Sequence, residues 1–182
     1  SWNIKSWYLK NKHTILLENK TRVKAEKLLE IRKDNYSFQA ESFDTISSYG
    51  KNSAIVHYKP GLDSSYIQKD GIYLLDSGAH YLFGTTDTTR VFYFGDINQN
   101  SSSDLMKMIY TKVLQGNLAL ERAVLDYNCL NNSVILDSIA RQFLKRANYD
   151  YGHGTGHGIG CFLNVHEGPI SVSPNSKHRL EE

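Results

Sequence analysis

Asp76 and Asp87 stand out because each sits at the edge of an apolar, strand-prone run. Ile72-Tyr73-Leu74-Leu75 leads into the first, and Val91-Phe92-Tyr93-Phe94 follows the second. A carboxylate in such a setting is costly to bury without a partner. If the two runs pair as a hairpin turning at Tyr81-Leu82, the carboxylates face each other with Cβ atoms about 5 Å apart. Two adjacent carboxylates repel, and one or two divalent cations between them relieve the repulsion. A competing reading has one Asp cap a turn while Arg90 neutralises the other. Spacing alone leaves both open.

The second concentration of chemistry is Tyr151-Gly-His153-Gly-Thr155-Gly-His157-Gly-Ile-Gly160. His153 and His157 have the i,i+4 spacing of helical zinc motifs, but five glycines between 151 and 160 rule against a stable helix. Glycines at this density suggest close backbone approach to something bound. A phosphate loop is a weaker alternative, since the segment has no Lys. His166-Glu167-Gly168-Pro169 follows the extended run Phe162 to Val165. A His at a strand end is placed to shuttle protons, whereas Glu167 suits a salt bridge or turn as well as catalysis. Cys161 could pair with a histidine as a nucleophile, but in an apolar strand-like run it reads better as a small hydrophobe.

These groups need elements to position them. The expected order is a short helix over 1–10 that buries Trp2, Trp7 and Leu9, then a helix over 20–33 with Val23, Ala25, Leu28, Leu29 and Ile31 on one face. Extended segments follow at 42–46 and 54–58, with turns at Pro60-Gly61 and Lys69-Asp70-Gly71. Strands are expected over 72–76 and 86–94. A helix from Asp104 to about Arg122 shows Leu105, Met108, Ile109, Val113 and Leu114 as its stripe. A helix from Val134 to Ala147, capped by Ser133, buries Leu136, Ile139, Ala140, Phe143 and Leu144. Cys161 to Val165 reads as a further strand. Helices and antiparallel strands without a βαβ rhythm give an α+β class.

Length and composition add bounds. The chain has 182 residues, 22% charged, with a formal net charge of +2. That suits one domain with a real core and gives no basic field for nucleic acid or a membrane surface. The cluster Lys20, Arg22, Lys24, Lys27 reads as a solvated helix face. Two distant cysteines, Cys129 and Cys161, and no secretory pattern point to reduced thiols in the cytoplasm. The start at Ser1-Trp2-Asn3 and the end at Glu182 look like cuts into a longer chain.

Taken together the segments resemble the pita-bread metallopeptidases, and among them the Xaa-Pro aminopeptidase (aminopeptidase P) type. Four blocks carry the likeness over nearly the whole chain. They are Asn52-Ser-Ala-Ile-Val-His57-Tyr58; Leu75-Asp76-Ser-Gly-Ala-His80-Tyr81; Gly84-Thr-Thr-Asp87-Thr-Thr-Arg90; and His153-Gly-Thr-Gly-His157-Gly-Ile-Gly with Asn164-Val-His166-Glu-Gly-Pro169. Methionine aminopeptidases and prolidases share the fold and the paired Asp residues, but their histidine segments read differently.

The resemblance implies roles. Asp76 would chelate one metal, Asp87 would bridge two, and His157 would bind the second. His57, His153 and His166 would line the substrate pocket as the catalytic and substrate-binding histidines. His166 would exchange a proton, while His57 and His153 would hold the substrate around its prolyl residue. His80 stands where the family often has a polar amide and receives no role. A hydroxide between two divalent ions would attack the carbonyl before proline, releasing the N-terminal residue. Mn²⁺ is the implied ion, and Co²⁺ or Zn²⁺ suits the same ligands.

The family's site has five protein ligands, and its two glutamate motifs have no match here. The expectation is therefore a partial catalytic domain, inactive alone, within an active parent. The alternative is a non-catalytic peptide- or protein-binding module on the same fold. Lost strands would leave a sheet edge and apolar surface exposed, which self-association, a homodimer included, would cover.

Overall fold

The computed structural model of the protein describes residues 21–59, 66–96, 102–125 and 132–177. The expected helix over 1–10, the Pro60-Gly61 turn, Lys20, Cys129 and the C-terminal residues from 178 on lie outside them. The chain forms two compact units: Ser1–Ile97 with Gly160–Val165, and Asn98–Ile159 with His166–Glu182. Elements mix helices with antiparallel strands, as the α+β reading expects.

In the first unit helix α1 (Thr21–Lys33) precedes strands β1 (Phe38–Glu41) and β2 (Ile46–Tyr49), a 3₁₀ turn (Gly50–Ala54), and long strands β3 (Gly71–Tyr81) and β4 (Gly84–Phe94). β3 is the spine. β1 and β2 share one of its edges, and β4 pairs along its whole length on the other. No strand among the described residues pairs with the outer edge of β4. Tyr73, Ile67 and Phe94 form the buried core, with Tyr49, Leu75 and Phe92 packed around them. Tyr73 lies opposite Phe92 and stacks on it at 6.2 Å. Its hydroxyl donates to Ser47 Oγ (2.8 Å), which donates to the Thr21 carbonyl (2.6 Å). Burial raises the Tyr73 phenol well above its ordinary pKa.

α1 is tied to β3 and β4 through Arg32, whose guanidinium donates to Ser77 Oγ at 2.9 Å and to the hydroxyls of Tyr81 and Thr86. Side chains alternate across a strand, so Ser77 and Tyr81 share one face and Asp76 lies on the other. Lys24 is buried in α1, which corrects its place on a solvated face. Long basic side chains can bury their methylene stems in this way.

The segment 54–58 is not extended. Ala54 ends the 3₁₀ turn and Val56-His57 form a second turn, with Ile55 53% and Val56 56% exposed. The β-branched pair raised strand propensity, but propensity without a partner strand makes no strand. Of residues 42–46 only Ile46 lies in a strand, while β1 (Phe-Gln-Ala-Glu) and the Ser47-Ser48 stretch of β2 are short and carry little hydrophobic signal.

In the second unit helices α2 (Ser103–Leu125) and α3 (Ser133–Lys145) precede the hairpin strands β5 (Gly156–Ile159) and β6 (His166–Val172). The helices meet where Gly116 faces Ala140, and a Cβ at Gly116 would overlap the Ala140 carbonyl. That contact rotates α2 away from its expected stripe, leaving Leu105, Val113 and Leu114 about half exposed. α3 is capped by Asn132, not Ser133: Asn132 Oδ1 accepts from the backbone of Val134 and Ile135. Leu136, Ala140 and Leu144 are buried as expected, Ile139 and Phe143 only partly, and Asp137 and Arg141 join the buried face.

Residues 161–165 make bends rather than a strand, with Leu163 at φ 69°. Cys161 is exposed there, so it is not a buried hydrophobe. No helix among the described residues is long and apolar enough to cross a membrane.

Candidate metal and substrate site

Asp76 lies mid-strand in β3, not at its end, because the strand continues through polar and small residues to Tyr81. The hairpin turns at Leu82-Phe83, which pairs Asp76 with Thr89 and Gly78 with Asp87. The carboxylates are therefore not directly opposite, as the Tyr81-Leu82 turn required. The register differs by two residues, and a two-residue shift preserves the alternation. Asp76 and Asp87 still share one face as diagonal neighbours, a spacing of about 7–8 Å that side chains bridge. Arg90 pairs with Leu75 on the opposite face and donates to the Thr89 carbonyl at 2.7 Å. The turn-cap and Arg90 account of the two carboxylates does not describe this hairpin.

Gly78 leaves no room for a side chain there. A Cβ would overlap the Thr86 carbonyl and Ser42 Oγ. Ser42 crosses at this point, bonding through its backbone N–H to Gly78 O and through its hydroxyl to Thr86 O. On the carboxylate face His80 is buried, its Nδ1 2.9 Å from Thr85 Oγ1. Thr85 in turn donates to the Cys161 carbonyl at 3.0 Å. His80 also packs its ring 4.9 Å from that of Phe162. His57 is exposed in the turn that follows the 3₁₀ segment.

In the second unit His157 lies on β5 and His166 opens β6. Their rings approach to 3.7 Å between centroids. Glycine serves strand approach here, since a Cβ at Gly158 would overlap the Glu167 carbonyl. His157 Nδ1 lies 2.9 Å from the Gly158 carbonyl. A carbonyl only accepts, so Nδ1 is the donor, and in the neutral ring the lone pair lies on Nε2. A metal-binding histidine is held in this way, its other nitrogen donating to a backbone oxygen. His153 bonds similarly to the Gly154 carbonyl at 2.8 Å and stacks on Tyr151.

The residues that sequence reasoning missed lie on α3. Arg141 and Asp137 form a salt bridge at 2.8 Å with side chains 4% and 3% exposed. Arg141 also reaches Asp150 Oδ1 and the carbonyls of Tyr151 and His153. Burial opposes the charged guanidinium, but its bonds to Asp137 and Asp150 outweigh it and raise the Arg141 pKa. Arg141 in turn holds the Asp150 carboxyl below its usual range, with the Tyr151 backbone N–H assisting. The signal in the sequence was the i,i+4 spacing of Asp137 and Arg141 on the stripe of Leu136, Ala140 and Leu144.

The carboxylate oxygens on the hairpin face, and separately an imidazole that leaves Nε2 open, are each donor types that divalent ions take. The sequence matches the model of metallopeptidase family M24 over residues 9–182. It is 52% identical over 149 residues to the Probable Xaa-Pro aminopeptidase P of Phaeosphaeria nodorum, covering 81% of this chain and 22% of that protein. It is 48% identical over 165 residues to the Aspergillus fumigatus protein of the same name, covering 90% and 24%. The chain thus spans about a quarter of the length of these curated relatives. Among solved structures, the X-prolyl aminopeptidase of Caenorhabditis elegans, described as a cytosolic enzyme with a di-nuclear active site, superposes with a TM-score of 0.78. That match has 32% identity and covers 96% of this chain and 28% of that one. A prolidase from Thermococcus sibiricus gives a TM-score of 0.71 at 28% identity, covering 90% and 42%. The pita-bread expectation holds, and the chain belongs to metallopeptidase family M24.

Proposed function

We propose that the protein carrying this chain is an Xaa-Pro metalloaminopeptidase, a hydrolase that releases the N-terminal residue from peptides with proline in second position. The observation that carries the reading is the pair Asp76 and Asp87 on one face of a hairpin, in a chain 52% identical to a relative named for that activity. The same likeness supports a cytosolic setting, as the C. elegans relative is described.

In this proposal Asp76, Asp87 and His157 are metal ligands, with Asp87 shared between two ions. Two divalent ions, Mn²⁺ foremost with Co²⁺ or Zn²⁺ as substitutes, would supply an activated water near neutral pH and a positive field for the scissile carbonyl. The protein's own groups do the rest. The two carboxylates offer hard oxygen donors, and the Nδ1–H bond to Gly158 O keeps the His157 ring in the ligating tautomer. His166, beside His157, exchanges a proton with the reacting groups. His153 and His57 hold the peptide around its prolyl residue, so that only the first bond presents itself. The 182 residues carry three of the ligands that the resemblance implies, and we propose that alone they cleave little or nothing.

The test is hydrolysis of matched Xaa-Pro and Xaa-Ala peptides with Mn²⁺, using the protein at the length of its relatives. Cleavage before proline is expected. Asp87→Asn should lower kcat/KM by about 100-fold or more, since it removes a ligand from both ions. A folded protein that never cleaves before proline sinks the proposal.

A further inference from the structure

The loop that carries His153 and leads to His157 has no stiffness of its own. Gly152, Gly154, Gly156 and Gly158 alternate with its other residues, and glycine loses more conformational freedom on ordering than any other residue. Something outside the loop must hold it. A single buried ion pair on α3 does so at several points.

Arg141 Nε donates to Asp137 Oδ2 at 2.8 Å. One terminal nitrogen donates to Asp150 Oδ1 at 2.9 Å and to the Tyr151 carbonyl at 2.6 Å. The other donates to the His153 carbonyl at 2.5 Å. The guanidinium also lies 3.9 Å from the centre of the Tyr151 ring. One rigid fork therefore fixes the backbone on both sides of Gly152, a geometry that a lysine ammonium cannot reproduce. The second Asp137 oxygen takes the Thr155 hydroxyl at 2.6 Å. Thr155 has one proton and gives it to the carboxylate, so at 2.5 Å it accepts from the Tyr151 hydroxyl. The Tyr151 ring, held from both sides, is the surface on which His153 stacks at 4.8 Å.

We infer that Arg141, with Asp137 and Thr155, is a positioning residue that sets the His153 ring for substrate. The inference rests on the substrate-binding role proposed above for His153. The clamp bonds directly to residues 150–155, and these meet β6 at Val172, the end of that strand opposite His166.

The test is a pair of double-mutant cycles on the protein at the length of its relatives, read as KM and kcat for an Xaa-Pro peptide. Arg141→Lys and His153→Ala should each raise KM by about tenfold while kcat changes less. If Arg141 acts through His153, the double variant should be about as impaired as His153→Ala alone. Combined with His166→Ala, the Arg141→Lys loss should multiply in full, because residues that share no partner add in free energy. Multiplying losses in the His153 cycle, about a hundredfold in KM, would overturn the inference. So would equal coupling to His166, the mark of a general structural defect. If Arg141→Lys fails to fold, Thr155→Val replaces it in both cycles, leaving the ion pair intact. Hydrogen exchange at 150–155 provides a readout apart from turnover, with faster exchange expected in either variant and unchanged exchange counting against the clamp. A wild-type protein with no Xaa-Pro cleavage defeats the proposed function instead, and that outcome is distinct from a failed cycle.

Discussion

The carboxylate hairpin and the histidine loop carry complementary chemistry but are made rigid by different physics. β3 and β4 pair over eleven residues each in unbroken register. Asp76 and Asp87 inherit their positions from that backbone ladder. β5 has only four residues, and its register with β6 shifts between His157 and Ile159. The histidine segment takes its order from side chains instead: one buried arginine, one buried aspartate and a threonine hydroxyl. A ladder shares its load over many bonds, whereas a clamp concentrates it in a few, so the two regions should fail differently.

The sharpest way to break the contrast is Arg141→Met. It leaves Asp137 buried with no cation, and removal of one partner from a buried pair costs about 3–5 kcal/mol. Denaturant unfolding should register that loss, while hydrogen exchange speeds up at 150–155 and stays slow in β3 and β4. The double variant Arg141→Met/Asp137→Leu should recover much of the stability, since apolar replacement of a buried pair is often neutral, without restoring order to the loop. Gly78→Ala is the converse. Its Cβ meets backbone and Ser42 rather than a mobile side chain, so a cost of about 1–3 kcal/mol is expected. Exchange should then quicken around Ser42 and Thr86 and not in the histidine loop.

Asn132→Ala removes the cap of the helix that bears the clamp and should cost about 1 kcal/mol in thermal unfolding. The smallest effect concerns pH. Asp150 has a lowered pKa because Arg141 bonds to it. Its contribution is therefore complete above the ordinary carboxylate range and fades as pH falls through the depressed native value. Exchange in the loop should rise on acidification below that range, and Asp150→Asn should remove the acid-dependent step. An identical pH profile in the variant would assign the step to another group.

The same contrast explains what could be read from the sequence. The hairpin was legible because strand-prone runs flank both carboxylates, and parity survived a turn placed one position too early. The turn itself was ambiguous: Tyr81, Leu82 and Phe83 are all large, and nothing local marks Leu82-Phe83 as its centre. The clamp stayed hidden because Asp137 and Arg141 look like an exposed i,i+4 pair until the apolar stripe around them is traced. Ala54 to Tyr58 misled in the opposite sense, since Ile55 and Val56 favour strands yet lie exposed in turns. Local preference is outweighed wherever no partner strand or core claims the side chain.

Asp76, Asp87 and His157 are the metal ligands proposed above. Calorimetric titration of Mn²⁺ into the metal-stripped protein, at the length of its relatives, tests that assignment most directly. Two ions per chain are expected, with at least one lost in each of Asp76→Asn, Asp87→Asn and His157→Ala. Absence of metal binding in the folded wild type, or binding untouched by all three substitutions, would contradict it and favour a non-catalytic peptide-binding module.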